Sequence, residues 1–464
     1  MVKDICDVEI IDAYQENMSE EGFRAKLKEI HPDVVGITVL MDEYGRSGHI
    51  CAELAKGADC NIKTVIGGVY ATVNSTQVMQ DRNIDFAVVG EGEYTFRELI
   101  GYLLGRNSMP QNGVCYREGV AVVDTGHSEF IRNLDALPSP AYDLIDFNKY
   151  SNSASRKSVD APRTYPYARI ITSRGCPFNC VFCQVAHISG KSFRARSADN
   201  VLDEIQLLKD RYGIKSIIFD DDNLLFDKKR AMDIFKGMID RGLVMPWVMI
   251  ATAVYKLDNV LLQLMKVSGC EYIDVAFETG TERVMKQVID KPVDLAYAKK
   301  MVSYARYLGI FVTANFIIGF PTETWAEIRS TLKFAEDLNA DYVKIFSPIP
   351  LRNTRLWDIC EQEGYFKKDF DGGRIKWSTG QIETKEFSAD ALTILRAFEW
   401  DRINFSDPVK LANICLIMGV TLDEMNTIRK RTLDNAIQLI RDGAINELPC
   451  SIRTTTMECN SGRG

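Results

Sequence analysis

The sequence predicts an α/β protein in three parts. An open Rossmann- or flavodoxin-like sheet is expected over residues 1–105, a partial (β/α)6 TIM-like barrel over 166–375, and a small helical region over 376–464. Three observations carry this. Strand-like apolar runs alternate with amphipathic stretches through the first hundred residues, a second alternation runs from Ala168 to Pro350, and beyond Trp377 the apolar period becomes helical. Such alternation is how a parallel sheet is buried under helices on both faces.

In the first part, Asp7–Ile11, Val34–Leu40, Thr64–Gly67 and Phe86–Gly90 read as strands. Glu20–Ile30, Ser47–Ala58, Ser75–Gln80 and Tyr94–Leu104 read as helices. A flavodoxin-like order would place a first strand beside Asp7–Ile11, and none precedes it after Met1. The domain is therefore expected to be truncated or degenerate. Residues 106–165 form a linker, with a hairpin over Gly113–Asp124 and helix-stopping Pro138 and Pro140. Barrel strands are expected at Ala168–Ser173, Lys215–Asp220, Trp247–Thr252, Tyr272–Phe277, Phe311–Ile318 and Asp341–Ser347. Among the helices between them, Ser197–Tyr212 opens on a capping serine. Helices follow at Ala389–Ile403, Pro408–Met418 and Leu422–Arg441, with a frayed tail from Ser451.

At 464 residues and 46% hydrophobic content, the chain is long enough for two or three domains with sizeable cores. A formal charge of −8 argues against a broad nucleic-acid footprint. No charged-then-apolar leader and no bilayer-length apolar run is visible, and twelve cysteines without a secretion signal fit a reducing, cytoplasmic setting.

The most informative residues are Cys176, Cys180 and Cys183 in Arg174-Gly-Cys-Pro-Phe-Asn-Cys-Val-Phe-Cys183, at the end of the first barrel strand. Three thiolates so spaced can converge on one inorganic centre, and no fourth ligand accompanies them. Structural zinc and most iron–sulfur sites are held by four protein ligands, so three leave a metal position open. Buried structural cysteines and a zinc site are the competing readings. The C-x-x-x-C-x-x-C spacing resembles that of radical S-adenosylmethionine (SAM) enzymes. The resemblance implies a 4Fe–4S cluster on the three cysteines and SAM chelated to the open iron. It also implies reductive cleavage of SAM to a 5′-deoxyadenosyl radical, and an electron donor such as flavodoxin or ferredoxin.

Function in such a barrel sits at the carboxyl ends of the strands, and five joints there carry polar or glycine-rich signals. They are the cysteine loop, Asp220-Asp-Asp-Asn223, Glu278-Thr-Gly-Thr281, Gly319-Phe-Pro-Thr-Glu323 and Ser347-Pro-Ile-Pro350. By the resemblance, Glu278 and Thr279 meet SAM, Gly319 and Pro321 lie beneath the adenine, and the Phe182 backbone touches it. Asp220–Asp222 is open between a SAM or substrate contact, a capping or metal-like cluster and a solvated turn. Arg194 and Arg196 are open between ligand binding and salt bridges, and His187 reads as structural.

Upstream, Gly67-Gly-Val-Tyr-Ala-Thr72 and Gly90-Glu-Gly-Glu93 end strands where open α/β sheets bind ligands. A plain turn is the alternative. These joints resemble those of cobalamin-binding domains that precede radical SAM modules, which makes Gly67, Gly68, Gly90, Glu91, Gly92 and Glu93 candidate cofactor contacts. Tyr70 stands where that pattern has histidine, and no Asp-x-His-x-x-Gly signature is present. The expected activity is a cobalamin-dependent radical SAM methyltransferase acting on an unactivated carbon of a small molecule. A radical cyclase of the same architecture, or a non-catalytic relative, is the alternative.

Overall fold

A computed structural model describes residues 1–151 and 158–442; the expected frayed tail lies outside them. The chain forms two compact units, one of residues 1–149 with 184–194 and 371–375, the other of 150–183, 195–370 and the residues from 376 on.

In the first unit, α1 (Glu20–Ile30) opens at Ser19, whose hydroxyl accepts from the Gly22 amide at 3.1 Å. Strands β1 (Val34–Thr38), β2 (Lys63–Gly67) and β3 (Phe86–Val88) pair in parallel, with α2 (Gly45–Ala58) between the first two. Helix α3 (Gly92–Leu103) follows β3. Phe23, Leu27, Leu54, Ala55 and Ile62 fill one core, and Ile66, Tyr70, Ala71, Ala87 and Val89 belong to another.

Two expectations change here. Asp7–Ile11 is not a strand. Asp7, Glu9 and Ile10 are exposed, and Val8 and Ile11 are only partly buried, so the segment has no fully buried face to hold it in register. The hairpin, β4 (Val114–Glu118) and β5 (Ala121–Asp124), is also more than a connector. It pairs antiparallel with β3 and extends the sheet to five strands in simple sequential order.

The second unit holds six parallel strands, each beside its predecessor: β6 (Tyr167–Ile170), β7 (Ser216–Phe219), β8 (Trp247–Thr252), β9 (Cys270–Glu278), β10 (Phe311–Ile317) and β11 (Tyr342–Phe346). Helices α4 (Ala198–Tyr212), α5 (Lys228–Asp240), α6 (Asn259–Val267), α7 (Leu295–Tyr307) and α8 (Trp325–Asp337) lie between them in the chain. This is the partial barrel the alternation predicts. Its outer layer is closed by aromatics: Trp247 of β8 stacks on Phe235 of α5 with ring centres 4.7 Å apart.

After α9 (Arg355–Glu363) come α10 (Ala389–Phe405), α11 (Pro408–Met418) and α12 (Leu422–Arg441). Helix α10 is buried almost throughout, which explains its weak amphipathic pattern. Its Asn404 closes the exposed edge of the sheet. The side-chain oxygen accepts from the Val343 amide at 2.8 Å and the amide group donates to the Val343 carbonyl at 2.8 Å. One side chain thus imitates a neighbouring strand and blunts β11 against further pairing. No described helix is long and apolar enough to cross a membrane.

Candidate active site

The cysteine loop is tied down by the acidic joint after β7. Buried Asp221 accepts hydrogen bonds from the Thr172 amide (3.0 Å), the Thr172 hydroxyl (2.8 Å) and the Ser173 hydroxyl. Asp222 accepts from the Gly175 amide at 3.2 Å, and Asp220 pairs with Arg169 at 2.7 Å. Burial raises the Asp221 carboxyl to about 6, and its hydroxyl partners pull the other way. None of the readings open for Asp220–Asp222 covers what these contacts form, a brace that sets the path into Cys176. Arg230 adds to it by donating to the Thr172 carbonyl at 2.8 Å.

Beyond the brace, the loop is registered by its own backbone. The Val181 amide donates to the Ile289 carbonyl at 3.3 Å, and the Val181 carbonyl accepts from the Leu356 amide at 2.9 Å. None of Cys176, Cys180 and Cys183 is in a disulfide, and each is partly exposed. Among the described residues no three His, Cys, Asp or Glu side chains already stand as a metal-binding group. The donor set nevertheless has the chemistry of an iron–sulfur cluster with one non-protein position: three thiols on one short, braced loop. Burial pushes the Cys180 thiol up to about 12, Lys291 acts against that rise, and the neighbouring Cys183 and Cys176 reinforce it. Asn223 points its amide at the Cys176 sulfur (3.7 Å) and the Tyr255 hydroxyl (3.3 Å).

Two further joints carry candidate residues, and one of them meets this loop. Phe182 lies against Phe320, ring centres 5.8 Å apart, which brings the cysteine loop to the joint after β10. There Gly319 adopts a φ of +97°, and a Cβ would come within 2.3 Å of Leu392, so only glycine fits. Buried Glu323 accepts from the Gly319 amide (2.8 Å) and the Phe320 amide (3.0 Å), and burial raises its carboxyl to about 7. Pro321 is buried between them. At the end of β9 the register slips between Ala276 and Glu278, and Glu278 takes a φ of +68°. That turn aims its carboxylate at Lys291, whose ammonium donates to Glu278 Oε1 at 2.8 Å and to the Ala276 carbonyl at 2.9 Å. Thr279 points away from this group. It is fully buried, and its hydroxyl lies 3.0 Å from that of Thr331, which braces α8 instead of offering a ligand contact.

In the first unit, Gly68 has a φ of +91°, and a Cβ there would meet the Val39 carbonyl oxygen at 2.5 Å. Gly67 is open by comparison, with Val88 3.9 Å from a notional Cβ. Tyr70 turns into the core, its hydroxyl 3.1 Å from His49 Nε2, while His49 Nδ1 faces Asp81 at 2.7 Å. The Thr72 hydroxyl accepts from the Gly90 amide at 3.0 Å, so the two glycine loops are tied together. Gly90, with φ +93°, packs against His127, while Gly92 and Glu93 begin α3. The Glu91 carboxylate is turned inward: it receives Arg194 through two bonds (2.7 and 2.9 Å) and the Ile131 amide at 2.7 Å. Arg194 therefore resolves to a buried salt bridge within this unit. Arg196 pairs with Glu204 and donates to Asn200 at 2.6 Å, and is likewise structural.

Sequence reasoning missed Lys291, Tyr255 and a polar cluster on the barrel strands. In that cluster the Lys344 ammonium bridges Asp160 (2.6 Å) and Asp274 (2.9 Å), and burial raises Asp274 to about 6. The signal available was a charged residue at a strand centre, Asp274 in an otherwise apolar run. Lys291 carried none, because it lies thirteen positions from its partner Glu278.

Comparison with known proteins agrees with this geometry. Residues 170–335 match the radical SAM superfamily and residues 1–100 the B12 binding domain. An uncharacterized methyltransferase of Pyrococcus horikoshii is 34% identical over 362 residues, covering 78% of this chain and 76% of its own. The cytidylyl-2-hydroxyethylphosphonate methyltransferase of Streptomyces wedmorensis is 30% identical, covering 79% of this chain and 73% of its own. The radical S-adenosylmethionine methyltransferase TsrM from Kitasatospora setae, solved with cobalamin and a [4Fe-4S] cluster, shares the fold. Its TM-score is 0.63 at 17% identity, over 78% of this chain and 70% of that one. The chain belongs to the cobalamin-binding branch of the radical SAM superfamily.

Proposed function

We propose that the protein is a cobalamin-dependent methyltransferase that methylates an unactivated carbon of a small molecule. The carrying observation is the meeting of strand-end joints around one braced loop, through the Phe182–Phe320 contact and the Asp222–Gly175 bond. The methyltransferase relatives give the reaction class. When bound, the cluster supplies the electron that cleaves SAM, and cobalamin supplies methyl carriage.

The chain's own residues would divide the rest. Cys176, Cys180 and Cys183 hold the cluster, and Asp221 and Asp222 keep their loop in place. Glu278, steadied by Lys291, accepts from an ammonium group. Gly319 permits close backbone approach beneath an adenine, flanked by Phe182 and Phe320. In the first unit, Gly67, Gly68, Gly90 and Glu93 border the strand ends where cobalamin would lie, and Glu91 acts by locking that loop to Arg194. A reducing, cytoplasmic setting with flavodoxin or ferredoxin as electron donor fits this chemistry.

Incubating the reconstituted protein with cobalamin, reductant, candidate substrates and SAM deuterated at its methyl group tests the reading. Product that carries the label supports methyl transfer. Turnover to an unlabelled, cyclised product would replace it with the cyclase alternative.

A further inference from the structure

Asn223 ends the acidic joint after β7, one residue beyond the brace, and its side chain faces the cysteine loop. The amide nitrogen lies 3.7 Å from the Cys176 sulfur and 3.3 Å from the Tyr255 hydroxyl. Sulfur is larger than oxygen, so hydrogen bonds to it run longer, and each amide hydrogen has an acceptor. The residue is only 5% exposed, yet its Oδ1 meets no donor among the described residues. A buried amide oxygen left unmet is a cost to the fold. Packing alone gives no reason to bear it, because leucine has a similar volume and no oxygen to satisfy. Turning the amide over would set Oδ1 against the sulfur, and with Cys176 as a thiolate two acceptors would repel. The nitrogen therefore belongs on the sulfur side.

Both ends of this contact are held by their neighbours. Asp221 and Asp222, just before Asn223, accept from the Thr172 and Gly175 amides at 3.0 and 3.2 Å, which fixes the joint to the chain entering Cys176. The Asn223 carbonyl accepts from the Phe226 amide at 3.0 Å. Tyr255, after β8, packs edge-on against Phe178 of the cysteine loop with ring centres 5.5 Å apart, and Phe178 meets Phe226 at 6.4 Å. The donor is thus aimed by a frame that includes the loop itself.

We infer that Asn223 is a positioning residue for the cluster. It donates an N–H···S hydrogen bond to the Cys176 thiolate and raises the reduction potential of an iron–sulfur cluster on Cys176, Cys180 and Cys183. The Tyr255 hydroxyl, by accepting the other amide hydrogen, keeps the donor turned to the sulfur. The inference rests on the radical SAM reading. Hydrogen bonds to the sulfurs are among the settings of a cluster potential. One-electron reduction adds negative charge, so a donor aimed at a ligating sulfur holds the reduced form more strongly than the oxidised one. Burial sharpens the effect, because little water competes for the sulfur.

Anaerobically reconstituted protein, full chain and without SAM, is titrated against redox mediators while the reduced cluster is followed by electron paramagnetic resonance. Native protein, Asn223→Leu and Tyr255→Phe are compared at equal iron and sulfide content. At the native midpoint poise, Asn223→Leu is expected to lower the reduced-to-oxidised ratio about fivefold, equivalent to about 41 mV for a one-electron couple. Tyr255→Phe is expected to lower it about twofold, because the amide is aimed less firmly. Pulsed resonance on protein isotopically labelled at the asparagine side-chain nitrogen gives a second readout. The native reduced cluster should show a coupling to that nitrogen, and Asn223→Leu should lack it. A loaded Asn223→Leu with the native ratio would overturn the inference. So would a native cluster with no such coupling, a test that stands even if the variant fails to load iron. An unchanged ratio in Tyr255→Phe would overturn the part assigned to Tyr255. A native chain that takes up no iron would overturn the parent reading, a result distinct from these.

Discussion

Replacing Arg194 by methionine removes the cation from the most enclosed ion pair of the first unit. The side chains of Arg194 and Glu91 are only 7% and 6% exposed, and the guanidinium meets the carboxylate at 2.7 and 2.9 Å. It also donates to the Ile131 and Ser189 carbonyls, both at 2.7 Å, and lies 5.0 Å from the centre of the Phe130 ring. In Arg194→Met the thioether can still cover Phe130, but the Glu91 carboxylate loses both guanidinium bonds while the Ile131 amide stays on it, and two carbonyls lose the guanidinium as donor. Breaking a buried pair on one side costs about 3–5 kcal/mol, against less than about 1 kcal/mol for an exposed pair. For a unit of this size each kcal/mol is about 2–4 °C, so the first unit should melt roughly 10 °C lower. Calorimetry of native, Arg194→Met, Glu91→Gln and the double variant forms a cycle, and the double variant should recover part of the loss because no buried charge is left unpaired. Hydrogen exchange of residues 184–194 should rise in Arg194→Met. A loss below about 1 kcal/mol, or an additive cycle, would refute the claim that this pair locks the glycine loop.

Glu323→Gln bears on pH. The folded carboxyl sits at about 7 against an ordinary 4.5, so its contribution to stability is complete below pH 4.5 and lost as pH rises through 7. The glutamine keeps an acceptor for the Gly319 and Phe320 amides and carries no charge, so it should flatten that slope. At pH 8 it should add on the order of 3 kcal/mol, read from denaturant midpoints at several pH values. Asp221→Ala strands three donors and should cost about 1–3 kcal/mol, with reduced iron retention on gel filtration after reconstitution. Gly319→Ala sets a methyl group 2.3 Å from Leu392 and keeps a φ of +97°, for a loss of about 1–3 kcal/mol. Adding Leu392→Ala should restore none of the backbone part, as urea denaturation would show.

The alternation of apolar runs with amphipathic stretches made the barrel legible, because a strand buried on both faces and a helix buried on one leave different periods. The joints were legible for a related reason: clusters of carboxylates and glycines follow the apolar runs where the strands end. Partnership was hidden. Glu91 stood in a ligand-like motif, yet its carboxylate closes on Arg194, more than a hundred residues away in sequence. Asp221 and Asp222 looked like ligand or turn residues and proved to fold the cysteine loop, since the donors they satisfy are backbone amides and hydroxyls with no sequence signature. Asp7–Ile11 had a strand's composition without a fully buried side chain, which only the packed sheet reveals. Helix α10 was legible as a helix, but burial on nearly every side left no polar face to orient it.

The braced cysteine loop is expected to carry a cluster that cleaves SAM. Anaerobic reconstitution followed by quantification of 5′-deoxyadenosine tests it most directly, with Cys180→Ala as the control. The expected result is a cluster in the native protein and SAM-dependent deoxyadenosine that disappears in the variant. A native protein that loads the cluster and leaves SAM intact under reducing conditions, with cobalamin and candidate substrates present, would contradict it.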